Sequence, residues 1–343
     1  MSLIGQIFAL GERDATLPVY PVLRTEGTQD RLVAYVFETT DLAPVPGFSG
    51  TPPNLLIVLG ADGTFQRVAV ISQHEPVFVD GLGQEPLDRF VEQYAGKTLA
   101  QNVKVGPPRP ETGQRRDGAN AVIDGVAKAT ASVRIVNESV LAAALAVARS
   151  KLGASGAVTR EPARPKPGVE PMTFAAMEAA GLVVRKVVRE RDVEAAFAGT
   201  VGEGVDPAAR RDPDGVFADI RVALLDVPSV AENLVGHERW RRVTERLDGG
   251  HAIFVSVDGR WPIFGEGYVH GATPDAISLT QGGLALDLHD VVLDPPLALP
   301  DAPTAPFALF KVSGRAGFDP GAPWTLSFRV VREKGQIYPE KVA

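Results

Sequence analysis

The chain has 343 residues, 45% of them hydrophobic and 22% charged, with a formal net charge of −7 and no cysteine. That is the composition of an ordinary globular protein, long enough for two domains. The acidic balance argues against a nucleic-acid partner, which demands a basic face. The missing thiols exclude disulfides, thiolate metal sites, iron–sulfur ligation and cysteine catalysis within these residues.

No run reaches the roughly 18 consecutive apolar residues of a membrane helix. The opening "MSLIGQIFALGERD" lacks the charged, apolar and small-residue regions of a secretory leader. The first clear element is "RLVAYVFETT" (31–40), which alternates like a strand with one buried face. "NLLIVLGADGTFQRVAVIS" (54–72) sets Ala-Asp-Gly between two apolar runs and predicts a hairpin. A helix is expected in "EPLDRFVEQYAG" (85–96), where Leu87, Phe90, Val91 and Tyr94 recur at helical spacing and Gly96 is placed to end it. The turn-rich stretch 106–125 reads as loop, apart from a short strand at "NAVI". A long helix follows, with Val133, Val136, Val140, Leu141, Ala144, Leu145 and Ala148 on its apolar face and Gly153 to stop it.

Residues 153–172 are rich in proline and glycine and poor in apolar side chains, which marks an interdomain linker. The expected organisation is therefore a domain over 15–152, the linker, and a second domain over 173–343. The second begins with helical or mixed segments. It then turns to β, with hairpins expected across Asp258-Gly259 and Gly282-Gly283 and further strands in "PFALFKVS" and "PWTLSFRVVREK". The fold class is α+β: a small antiparallel sheet covered by helices, then a second α+β domain with its own antiparallel sheet.

The chemistry concentrates at the start of the long helix, in "DGVAKATASVRIVNESVL" (124–141). A helix N-terminus offers unpaired N–H groups and the positive end of the macrodipole, so it receives phosphate readily. Asp124-Gly125 makes an entry turn, Lys128 adds a cation, and Thr130 precedes the expected N-cap, Ser132. The plain alternative is that these residues only cap a helix, as such residues commonly do. His74-Glu75 ends a predicted strand ahead of Pro76 and is a second candidate. The five histidines are scattered without metal-ligand spacing, so no metal is expected. No G-x-S-x-G elbow supports a hydrolase, and "GLGQEP" lacks the context of a dinucleotide fingerprint. No catalytic residue is assigned. Asn137-Glu138-Ser139 fits a glycosylation sequon but falls inside the predicted helix. Trp240, Trp261 and Trp324 read as packing residues.

The 124–141 stretch resembles the flavin-attachment segment of FMN-binding domains, whose usual pattern is Asp-Gly-x-Ser/Thr-Gly-Ala-Thr before a helix. Asp124, Gly125, Ala129 and Thr130 match it. Ala127 and Lys128 stand where Ser/Thr and Gly usually do. Upstream, "PGFSG" (46–50), "NLLIVL" (54–59), "HEPVF" (74–78) and "GLG" (81–83) follow in an order that resembles the periplasmic N-terminal region of the NosR/NirI family. "FADIRVALLDVPSVAENLVG" (217–236) and "FALFKVSG" (307–314) extend that resemblance over nearly the whole chain. The resemblance implies an FMN-binding-type first domain with FMN joined to Thr130 by a phosphodiester, and the isoalloxazine ring near His74 and Glu75. It also implies modification by a flavin transferase, and electron transfer to, or maturation of, nitrous oxide reductase through that enzyme or its assembly factors. The location it implies is the periplasmic part of an inner-membrane protein, ahead of transmembrane helices that this chain lacks. On that reading the chain is an electron-transfer component more than a free-standing enzyme; the alternative is a non-redox sensing or docking module.

Overall fold

A computed structural model describes residues 8–26, 29–106, 120–153, 164–264, 274, 276–291, 297–332 and 340–342. By internal contacts the chain divides into two units. The first is 1–159 with two short returns, 280–285 and 315–317, and the second holds the remainder.

The first unit opens with strands β1 (Phe8–Leu10), β2 (Val19–Glu26) and β3 (Gln29–Glu38), followed by a single helical turn, α1 (Thr39–Leu42). Strands β4 (Asn54–Gly60) and β5 (Phe65–Ser72) complete a five-stranded antiparallel meander in chain order. The Ala61-Asp62-Gly63 hairpin is present as expected, with Gly63 at φ 79°. Alternation in β4 buries Leu55, Ile57 and Leu59 on one face. Helix α2 (Glu85–Glu92) turns Leu87, Phe90 and Val91 inward and packs on β5. Tyr94, just past its end, stacks edge-on to Phe65 and Phe90.

Strands β6 (Asn102–Gly106) and β7 (Asn120–Asp124) form a separate parallel pair. The "NAVI" strand is thus present, but its parallel partner β6 was not read from the sequence. Helix α3 (Thr130–Lys151) runs through the centre of this unit, touching α1, β4 and β6. It ends at Lys151, with Leu152 as C-cap, and the next residue, Gly153, sits at φ 67° as a left-handed stop. By length and composition alone α3 would cross a membrane, yet two-thirds of its most apolar window is buried inside the unit. Its apolar face is wider than the predicted stripe because Ala142, Ala143 and Val147 are buried as well.

The second unit holds α4 (Phe174–Ala179), β8 (Val183–Arg189), α5 (Glu190–Phe197), α6 (Pro207–Arg211), β9 (Val216–Leu224), α7 (Pro228–Val235), α8 (His237–Leu247) and β10 (His251–Gly259). Strands β11 (Ile277–Gln281), β12 (Leu284–Leu286), β13 (Leu288–Val291), β14 (Phe307–Val312), β15 (Thr325–Val331) and β16 (Glu340–Val342) follow. A five-stranded antiparallel sheet has the order β13-β14-β10-β9-β8, and Phe254, Leu309, Ala223 and Val183 pack from it onto α4, α7 and α8. The Gly282-Gly283 hairpin is present between β11 and β12, with both glycines at positive φ, 60° and 78°. The hairpin expected across Asp258-Gly259 is not what pairs β10: its two edges are taken by β9 and β14. Residues 265–270, part of the run expected to return, lie outside the described residues. The α+β class of the chain is that expected from the sequence.

Candidate functional site

The entry to α3 is a sequence of steric requirements. Gly125 donates to the Gly106 carbonyl at 3.0 Å, and a Cβ there would meet the same oxygen at 2.6 Å. Any larger residue would push β7 off β6. Asp124 is held through its backbone by Gln93, which accepts from its N–H at 2.7 Å and donates to its carbonyl at 3.0 Å. The chain then turns: the Ala129 N–H reaches the Val126 carbonyl at 3.1 Å, and Lys128, third in that turn, sits at φ 68°. Left-handed backbone is where glycine is preferred, which gives the physical reason for Gly at this place in the attachment pattern. Ala129 is buried, so the site tolerates only a small side chain there.

The helix begins at Thr130, three residues earlier than an N-cap at Ser132 would place it. Its N-cap is Ala129, and no side chain caps the first turn. Ser132 is therefore not the N-cap; it lies inside the first turn and is buried. Its hydroxyl donates to Glu75 Oε2 in a short hydrogen bond. Thr130 and Lys128 are exposed, and among the described residues neither has a hydrogen-bond or ion-pair partner. The result is an accessible hydroxyl and a free ammonium beside N–H groups that no side chain satisfies, the arrangement that receives a phosphate ester.

Glu75 is the centre of the site, at 1% exposure. One carboxylate oxygen takes the Ser132 hydroxyl, and the other accepts the Phe48 N–H at 2.7 Å. Its carbonyl accepts the N–H groups of Phe78 and Val79, both at 3.0 Å, at the start of a π-helical turn over Phe78–Leu82. Three segments distant in sequence, 46–50, 74–83 and the start of α3, are thus joined at one side chain. A Cβ on Gly47 would collide with the same carboxylate, so the 47–50 turn closes onto Glu75 only as glycine.

His74 points the other way in burial: it is exposed and has no hydrogen-bond partner among the described residues. Of the His74-Glu75 pair, only Glu75 joins the α3 entry. Phe48, Gly47 and Gln93 were not singled out from the sequence. Phe48 and Gly47 lay within the quoted "PGFSG", whereas nothing in the local pattern marks Gln93. The Asn137 sequon is closed to glycosylation in the folded chain, since Asn137 is buried and accepts from the Tyr94 hydroxyl at 2.7 Å. Burial pushes that phenol well above its ordinary pKa. Among the described residues no three His, Asp or Glu side chains gather as a metal site.

Fold and site together define an α+β protein with an accessible threonine at the uncapped start of its central helix. No protein-family model matches the chain. Among known proteins, 329 residues are 30% identical to "Regulatory protein NosR" of Stutzerimonas stutzeri, covering 92% of this chain and 44% of the relative. The protein of that name from Pseudomonas aeruginosa is 30% identical over 342 residues, 97% of this chain and 47% of the relative. "Protein NirI" of Paracoccus denitrificans is 26% identical over 330 residues, 94% of this chain and 44% of the relative. Over nearly its whole length the chain is similar to these members of the NosR/NirI family. It spans less than half the length of these relatives.

Proposed function

We propose that this chain is the periplasmic part of a NosR/NirI-type membrane flavoprotein that carries FMN on Thr130 and serves a denitrification reductase, nitrous oxide reductase in the first place. The observation that carries this reading is the exposed Thr130 hydroxyl on an uncapped helix start. The family relationship supports the link to denitrification.

Attachment by a flavin transferase would join the Thr130 oxygen to the FMN phosphorus of FAD. In that transfer the pyrophosphate bond would break, AMP would leave, and the hydroxyl proton would be lost. The first-turn N–H groups of α3 and the Lys128 ammonium would hold the resulting phosphodiester. Glu75 orients this turn through Ser132. A flavin bound there supplies one- and two-electron chemistry, while the protein supplies its position and surroundings.

The test is expression in the periplasm with a flavin transferase, followed by denaturation and in-gel flavin fluorescence. The parent and Thr130→Ser should retain fluorescence, and Thr130→Ala should lose it while folding normally. Retention by Thr130→Ala would remove the assignment. A second reading, a non-redox sensing or docking module, draws on the name "Regulatory protein" that two relatives carry. Ala127 and Lys128 at the Ser/Thr and Gly places of the pattern also favour it. An unlabelled parent under the same conditions decides for that reading.

A further inference from the structure

The Glu75 carboxylate fixes more than the helix start. The turn it clamps is closed by its own backbone, Gly47 N–H to the Thr51 carbonyl at 3.1 Å and Gly50 N–H to the Gly47 carbonyl at 2.9 Å. Phe48 rides on this turn at 72% exposure. Val79, whose N–H the Glu75 carbonyl holds, is 60% exposed. Two large apolar side chains thus stand in water on backbone tied to one buried residue. The same residue's carboxylate bonds Ser132, in the helical turn that carries Thr130.

Exposed aromatic area costs about 25 cal/mol per Å² relative to burial. A rigid turn that displays a phenyl ring is therefore a preformed apolar contact for a planar partner, with little ordering entropy left to lose. Phe48 N and Ser132 Oγ are separated only by the width of the carboxylate that both contact. The aromatic turn and the helical turn that carries Thr130 thus meet at one carboxylate.

We propose that Phe48 is the residue against which the isoalloxazine ring of the Thr130-linked flavin packs. This rests on the attachment reading above and adds the surface that positions the ring. Phe48 is a positioning residue here. Its ring excludes water from one face of the flavin and holds that face at a fixed orientation, through offset stacking or an edge contact. The tether sets only the radius within which the ring moves, and Phe48 selects one orientation inside it. His74, exposed and unpartnered, is not needed for this contact.

The test uses the full chain labelled in the presence of a flavin transferase, with emission normalised to covalent flavin measured in the gel. Phe48→Trp places an indole at the proposed contact, and an indole touching an excited flavin quenches it by electron transfer. Native emission per flavin should fall several-fold below the parent and return on unfolding in urea. Phe48→Ala should keep its covalent flavin but lose most of the visible-region circular dichroism that a fixed ring shows. Phe8→Trp, on the edge strand β1 and also exposed, should leave emission unchanged. Phe48→Trp with emission equal to the parent overturns the proposal while leaving attachment intact. A parent without covalent flavin overturns both.

Discussion

At the scale of single residues, Lys128 and Glu75 carry opposite kinds of constraint. Lys128 holds φ 68°, a conformation that costs an L-residue about 1–2 kcal/mol. Glycine removes that strain but loses more entropy on folding, so Lys128→Gly should stabilise by a net amount of about 0.5–1 kcal/mol. A higher urea midpoint at unchanged m-value is the expected result. Glu75 is constrained by its partners. Glu75→Ala strands the buried Ser132 hydroxyl, at about 1–3 kcal/mol, and the part-buried Phe48 N–H, at less, for a loss of about 2–3 kcal/mol. Glu75→Gln keeps one acceptor oxygen, and the Ser132 hydroxyl can rotate to accept from its amide, so it should lose about half as much. Equal losses in the two variants, read by chemical denaturation, would show that packing and not hydrogen bonding sets the role of Glu75.

At the scale of elements, α3 is placed by both its ends. Its start depends on the β6–β7 pair, so Gly125→Ala, which drives a Cβ into the Gly106 carbonyl, should cost about 1–3 kcal/mol by overpacking. Hydrogen exchange should rise first in β6 and β7. Its end is tied to the β1–β2 connection by Lys151, whose ammonium meets Asp14 at 2.6 Å. That hydrogen bond, with further ones from Thr16, holds the Asp14 carboxyl well below the usual carboxylate range. A carboxyl depressed in the folded state adds stability above its unfolded pKa and loses it as pH falls toward its folded value. Asp14→Asn should therefore lower stability at neutral pH and flatten its acid dependence below about pH 4. An unchanged acid slope in pH-dependent denaturation would show that the pair contributes nothing net.

At the scale of the whole molecule, the first unit is completed by residues far downstream. Ala285 donates to the Leu99 carbonyl at 2.8 Å, and the Arg149 guanidinium donates to the Ala316 carbonyl. Burial pulls that guanidinium below its ordinary pKa, so it needs its oxygen partners. A chain ended at 152 would lack both segments. It should unfold at lower urea than the same unit in the full chain, and Arg149→Met should recover part of the difference by removing the charge left without Ala316. If truncation leaves the midpoint unchanged, residues 280–285 and 315–317 add nothing to that unit's stability.

Periodicity and turn chemistry alone determined much of this fold. The hairpins at Ala61-Asp62-Gly63 and Gly282-Gly283, the α2 face and the long α3 were legible because each depends on neighbours in sequence. So was Thr130 as the candidate attachment point, through its matching motif. What only tertiary structure decided needs partners distant in the chain. β10 takes β9 and β14 in place of its own continuation because a central strand satisfies its backbone on both edges. The helix starts at Thr130 because Ser132, the better capping residue by type, is claimed by a buried carboxylate 57 positions away. No local pattern distinguishes His74 from Glu75, since both are polar and adjacent at a strand end. Burial separates them: the carboxylate goes inward because Phe48 and Ser132 bring it the donors that a buried charge requires.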